Sequence, residues 1–141
     1  MVVKAGSWLA PVLCPMAKVL IADDSRFQRQ MLASFLLPNK FEILFAVDAL
    51  QTWMTALRST PDLILLDINM PGGTGIEVLK RLRLSSKTQQ IPVIVVSSEE
   101  KTATEATARE LGALDFLHKP VDRLTLCAVV DHALGVQPRD L

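Results

Sequence analysis

The chain has 141 residues, half of them hydrophobic, and its 15 Lys and Arg balance its 15 Asp and Glu, for a formal charge of zero. That is room for one domain with a proper core and too little for two ordinary ones. The balanced charge argues against nucleic acid or an anionic membrane surface as partner, and no apolar stretch is long enough to span a bilayer. The two cysteines, Cys14 and Cys127, lie far apart with no metal-ligand spacing, which leaves no disulfide framework or zinc site and fits a reducing cytoplasm.

Residues 1–16 read as a flexible N-terminal extension or a start-site artefact. Their apolar stretch, Trp8 to Cys14, is cut by Pro11 and lacks the continuous core of a secretory signal. Residues 18–22 form a short apolar strand that ends in Asp23-Asp24. Ser25 opens a helix, and Gln28 three positions on fits a capping box. Phe27, Met31 and Phe35 recur at helical spacing and are expected to face the core. Residues 41–47 form a second strand, whose Glu42 suits an edge. Asp48 with Gln51 starts another helix, which Thr60-Pro61 ends.

The third strand, 62–66, carries four consecutive aliphatic residues, as in a strand buried on both faces. It ends at Asp67 and is followed by a turn at Pro71-Gly72-Gly73. Thr74 and Glu77 form a further capping box, with Ile76, Leu79 and Leu82 on the inner face of the helix they open. A fourth strand, 92–96, ends at Ser97-Ser98. Glu99 and Glu100 then complement the dipole of a helix that Gly112 caps. That helix is rich in Ala and Thr and is expected to pack lightly. A short fifth strand, 114–117, leads to Lys119-Pro120. A last helix, 122–134, has apolar residues on more than one face, and residues 135–141 form a tail.

Five strands alternating with five helices predict an α/β fold, a doubly wound five-stranded parallel sheet. The most apolar strands belong in the middle, which gives the flavodoxin-like (βα)5 order 2-1-3-4-5. Asp23, Asp24, Asp67, Ser97 and Lys119 then converge at the carboxyl ends of neighbouring strands. Three carboxylates within roughly 5 Å repel by about 3 kcal/mol per pair at an effective dielectric of 20. A hard divalent cation offsets that cost. For Mg²⁺, Asp24 and Asp67 are the direct ligands, Asp23 acts through water, and the Asn69 backbone carbonyl adds an oxygen. Asp67 is the best-placed nucleophile for an acyl phosphate, with Lys119 and Ser97 sharing the phosphoryl charge. Taken singly, these residues also read as a turn aspartate, a helix cap and a solvated lysine.

Together the motifs Ile21-Ala22-Asp23-Asp24-Ser25, Leu66-Asp67-Ile68-Asn69-Met70-Pro71, Val96-Ser97-Ser98 and Leu117-His118-Lys119-Pro120 resemble those of a response-regulator receiver domain. Their separations agree with it too, at 43 positions from Asp24 to Asp67, 30 from Asp67 to Ser97 and 52 from Asp67 to Lys119. The resemblance covers residues 17–134. It implies that Asp67 is the phosphoacceptor, that Asp23, Asp24 and the Asn69 carbonyl organise Mg²⁺, and that Lys119 binds phosphate and precedes a cis proline. Ser97 would be the switch hydroxyl and Phe116 the switch aromatic. Asn69 and Glu99 would tune the lifetime of the phosphoryl group, as in chemotaxis-type regulators with fast self-dephosphorylation. Thr74 stands where an Asp is frequent, and Ser97 where Thr is commoner.

The implied function is phosphorelay signal transduction rather than enzymatic turnover. The donor would be a histidine kinase or phosphotransfer protein, and the reader a downstream protein target or a second, phosphorylation-linked copy, with neither DNA nor membrane. Only 21 residues follow Pro120, so an output domain is not expected and the signal passes by protein contact. The face implied is that of the last two helices and the fifth strand. Three alternatives compete. A flavin carrier on this fold would need a phosphate cradle where Asp23-Asp24 stands. An aspartyl-phosphate phosphohydrolase would want a second acid at Asn69. A degenerate receiver would serve as a phosphorylation-independent binding module.

Overall fold

Short aliphatic runs and amphipathic helical segments assemble, as their spacing predicts, into one parallel sheet covered on both faces. The computed structural model describes residues 16–39, 41–98 and 102–135. The readings made for residues 1–15, for Glu99 and Glu100 and for residues 136–141 lie outside the described residues. Strands β1 (Lys18–Ala22), β2 (Glu42–Ala46), β3 (Leu63–Leu66), β4 (Val93–Ser97) and β5 (Asp115–His118) run parallel in the order β2-β1-β3-β4-β5. Helices α1 (Arg26–Leu36), α2 (Ala49–Ser59), α3 (Gly75–Leu84), α4 (Thr102–Glu110) and α5 (Arg123–Ala133) follow the strands in turn. No described helix is long and apolar enough to cross a membrane.

The two-residue period of the strands divides the core. Leu20, Ile64, Leu66, Val93, Val95 and Phe116 point toward Val78, Leu79 and Leu82 of α3 and Ala108 of α4. Val19, Ile21, Leu63, Leu65, Ile94 and Val96 point toward Leu32 and Leu36 of α1 and Leu126 and Val130 of α5. Every residue of β3 is buried, the requirement for a central strand between two helical layers. β2 lies at the edge, as Glu42 predicts, and exposes both Glu42 and Phe45.

Helix α1 corrects the expected core face. Leu32 and Leu36 are buried and set its rotation, while Phe27 is 72% exposed and Met31 and Phe35 are only partly covered. The expected capping box is also half formed. Ser25 Oγ accepts from the Gln28 N–H at 3.3 Å, but Gln28 Oε1 is buried without a protein donor among the described residues. Of the other two starts, the one at Thr74 forms as read, while at Asp48 the cap forms but the glutamine's return bond falls one residue early. Asp48 accepts from the Gln51 N–H, and Gln51 Oε1 accepts from the N–H of Val47. Thr74 and Glu77 satisfy each other's backbone reciprocally. In α4 the one buried side chain among the described residues is Ala108, so this helix packs lightly, as expected. The apolar surplus of α5 reduces to Leu124, 80% exposed.

Arg83 ties the end of α3 to two loops. Its Nε donates to Leu111 O at 3.0 Å, Nη1 to Gln89 O and Ile91 O at 2.9 and 3.0 Å, and Nη2 to Gly112 O at 3.2 Å. Replacing the guanidinium by an apolar chain of similar length leaves these carbonyls without that donor. Arg83→Met is expected to lower the unfolding free energy by about 2 kcal/mol in urea titrations. An unchanged midpoint would mean that water replaces all four bonds at no cost.

Candidate functional site

The site lies where the sheet ends. Three backbone bonds extend the ladder one residue past the strands: Asp23 N to Ala46 O (3.0 Å), Asp67 N to Ala22 O (2.9 Å) and Lys119 N to Ser97 O (2.9 Å). Asp23, Asp67 and Lys119 are therefore held with strand-like rigidity at the carboxyl edge, although none belongs to a strand. The turn after Asp67 folds back as a two-residue antiparallel ribbon, Asn69–Met70 with Gly73–Thr74. Positive φ values of 83° at Gly72 and 135° at Gly73 make that reversal, and a side chain at either position would be strained.

Asp23 is held at each of its polar atoms. Beyond its own N–H bond, Oδ1 accepts from the Ser25 N–H at 2.9 Å and Oδ2 from Lys119 Nζ at 2.7 Å. Its carbonyl accepts from Arg29 Nη1 at 2.8 Å. Asp67 Oδ1 accepts from the Asn69 N–H at 3.3 Å, and Oδ2 lies 3.6 Å from Lys119 Nζ. Asp24 is exposed and makes no hydrogen bond with its carboxylate among the described residues.

Oxygen atoms of Asp23, Asp24 and Asp67 lie within 4.8 Å of one another, and Asp23 and Asp67 are only 2% and 5% exposed. At that separation the buried pair repels by about 3 kcal/mol at an effective dielectric of 20, before any counter-charge. Burial pushes the Asp67 carboxyl above the ordinary carboxylate range. Asp23 and Asp24 add to the rise, while Lys119 and the Asn69 N–H oppose it. Lys119 offsets one of three negative charges and leaves two, the charge of one divalent ion. All the carboxylate donors are oxygens, the set a hard cation takes. The residues present therefore fit Mg²⁺.

The remaining candidates sit around this cluster. Ser97 is fully buried as the last residue of β4, with its register partner His118 on β5. Phe116 is buried in the core beneath α4 and packs against the His118 ring at 5.2 Å. Asn69 is exposed beside the turn, and the Lys119–Pro120 peptide is cis, as expected. Glu99 lies outside the described residues.

Two contributors were not legible in the motifs. Arg29 reaches back six positions to the Asp23 carbonyl. Gly75 begins α3 directly beneath Asp67, where an added Cβ would lie 2.5 Å from the Asp67 carbonyl oxygen and 2.8 Å from Ile68 Cα. The Gly75 N–H bonds to Ile68 O at 2.7 Å, which leaves no slack. The capping motif located Gly75 on the helix but carried no hint of this approach.

Two outcomes follow from this packing and charge. Gly75→Ala is expected to cost about 2 kcal/mol in urea unfolding, because backbone must move to admit the methyl. A neutral effect would mean that the turn below Asp67 is soft. The raised Asp67 carboxyl binds its proton more tightly in the folded chain, so its ionisation costs stability as pH rises through that elevated value. In EDTA at pH 7, Asp67→Asn is expected to melt about 5 °C higher than the parent. That gain should vanish as pH falls below the ordinary carboxylate range, where Asp67 is neutral in both folded and unfolded chains. Equal melting temperatures at pH 7 would contradict the charge accounting.

A family model described as the response regulator receiver domain matches residues 19–131. Protein PilH of Pseudomonas aeruginosa is 33% identical over 120 residues, which cover 85% of this chain and 99% of PilH. The chemotaxis response regulator CheY4 of Vibrio cholerae matches in structure with a TM-score of 0.79 and 32% identity, over 85% of this chain and 100% of that one. The receiver domain of the sensor histidine kinase PA1611 from Pseudomonas aeruginosa has the same fold, with a TM-score of 0.79 and 20% identity over 86% of this chain and 99% of that one. Its structure has a magnesium ion coordinated in the active-site cleft. Likeness in sequence and fold over that much of its length means that this chain belongs to the response regulator receiver domains of two-component signalling systems.

Proposed function

We propose that residues 17–134 of this chain form a receiver that is phosphorylated on Asp67 by a histidine kinase or phosphotransfer protein in the presence of Mg²⁺. The observation that carries the reading is the Asp67 carboxylate, fixed at a strand end, 3.6 Å from Lys119 and within a cluster two charges short of neutral. An Asp67 carboxylate oxygen attacks the phosphorus of a phosphohistidine. The new O–P bond forms as the P–N bond breaks, and the electron pair returns to the ring nitrogen of the donor. Such a transfer needs positioning and charge neutralisation more than covalent assistance.

The metal ligands follow from what each carboxylate already does. Both carboxylate oxygens of Asp23 are engaged by Ser25 and Lys119, which suits a ligand acting through water. Asp24 carries no such bonds among the described residues and is the direct ligand, with Asp67 and the Asn69 carbonyl completing the protein's share. When bound, the ion supplies positive charge to the phosphoryl oxygens. Lys119, now shared between Asp23 and Asp67, supplies the second cation, and the Ser97 hydroxyl a hydrogen bond.

The mark is read by protein contact. Ser97 moves toward the phosphoryl group, and Phe116 follows into the space vacated. The reading face is formed by α4, β5 and α5. Its support is the light anchoring of α4, with Ala108 as its one buried side chain among the described residues, and the exposed Leu124 on α5.

Incubation with acetyl phosphate and Mg²⁺, read by intact mass, tests the proposal. The chain is expected to gain one phosphoryl group, and Asp67→Ala none. A parent protein that stays unlabelled where other receivers are labelled would overturn it.

A further inference from the structure

Asp24 poses a positioning problem. It is the exposed member of the carboxylate cluster, and no hydrogen bond holds its side chain among the described residues. The direction of its Cα–Cβ bond, from which the carboxylate swings, is set by its backbone. The two peptide planes that flank it are both fixed. On one side the Ser25 N–H bonds to Asp23 Oδ1 at 2.9 Å. On the other, the Asp23 carbonyl accepts from Arg29 Nη1 at 2.8 Å. That carbonyl shares one rigid plane with the Asp24 N–H and Cα. Turning it would re-aim the Cα–Cβ bond of Asp24 relative to Asp67.

We infer that Arg29 is a positioning residue for the metal site: it anchors the Asp23 carbonyl and so aims the Asp24 carboxylate at the cation it shares with Asp67. This inference rests on the Mg²⁺ reading above and adds to it a residue that touches neither the ion nor the phosphoryl group. Arg29 is placed for the task by α1. The helix starts under the Ser25 cap, and its first turn is bound to the site loop by the Arg29 N–H to Ser25 O bond at 3.0 Å. The guanidinium then returns over that turn to Asp23. Local helical geometry and the acidic loop are thereby joined through one side chain.

Charge and geometry predict opposite signs. Arg29 is a cation beside an acidic cluster, so on electrostatics alone its removal would tighten Mg²⁺ binding. If its role is to hold the carbonyl, its removal weakens binding. Arg29→Met keeps the apolar stem and deletes the donors, and Arg29→Lys restores a single donor with the same charge. Mg²⁺ affinity of the full chain is read by titration calorimetry, with melting in EDTA as the check on folding. Arg29→Met is expected to weaken Mg²⁺ binding about 10- to 100-fold, the range typical of partners that orient metal ligands. Arg29→Lys is expected to recover most of that loss, though both melt as cooperatively as the parent.

A folded Arg29→Met that binds Mg²⁺ as tightly as the parent, or more tightly, overturns the inference and leaves the Mg²⁺ reading intact. If Arg29→Met does not fold, Arg29→Lys and Arg29→Gln decide. Equal affinities in those two and the parent overturn the inference, and a weaker Gln variant with a near-normal Lys variant supports it. A parent chain that binds no Mg²⁺ overturns the metal reading and this inference together.

Discussion

The contact on which the site depends is the 2.7 Å ion pair between Lys119 Nζ and Asp23 Oδ2. Two nearly buried carboxylates stand close together at the edge of a low-dielectric sheet, a placement that folding alone would penalise. Lys119 makes it tolerable. It neutralises part of the repulsion and lies 3.6 Å from Asp67, close enough to change partners without leaving the cleft. The residual charge is what prepares the site for chemistry. A fully neutralised cluster would gain little from a divalent cation, and an unneutralised one would weaken the fold.

The sheet supplies the precision. Parallel pairing brings Ala22, Leu66 and Val95 into register, so β1 and β3 end level with each other while β4 runs two residues further, to Ser97. The backbone bonds at Asp23, Asp67 and Lys119 carry the ladder one step further. Gly75 then lets α3 approach the Asp67 backbone more closely than any side chain would permit. The candidate site sits just beyond the regular structure, on residues that the regular structure still controls. The opposite condition holds at α4, which is lightly held in the core, while Arg83 binds the carbonyls of Leu111 and Gly112 just past its end. A rigid receiving edge beside a lightly packed helix is the arrangement a two-state signal requires.

Much of this was legible in the chain. Four aliphatic residues before Asp67 marked a central strand, and polar Glu42 marked an edge, because burial on two faces or one leaves that signature in composition. The acidic, hydroxyl and lysine residues at the strand ends became a site once the strand order placed them together. The failures share a different cause. Phe27 lies in helical register with Met31 and Phe35, but the deeper burial of Leu32 and Leu36 sets the rotation of α1 and leaves Phe27 in solvent. Gln28 matched a capping motif, yet its amide does not complete it. Gly75, Arg29 and Arg83 act through close approach or through bonds to carbonyls. Such contacts depend on where a neighbouring backbone passes, and no spacing of residue types records that.

We propose that one divalent cation completes the acidic cluster. The most direct test is diffraction from crystals of this chain equilibrated with Mn²⁺, recorded for anomalous signal. A single strong peak is expected between the carboxylates of Asp24 and Asp67 and the carbonyl of Asn69, with Asp23 one water removed. A cleft without metal density, or a peak coordinated away from Asp67, would contradict it.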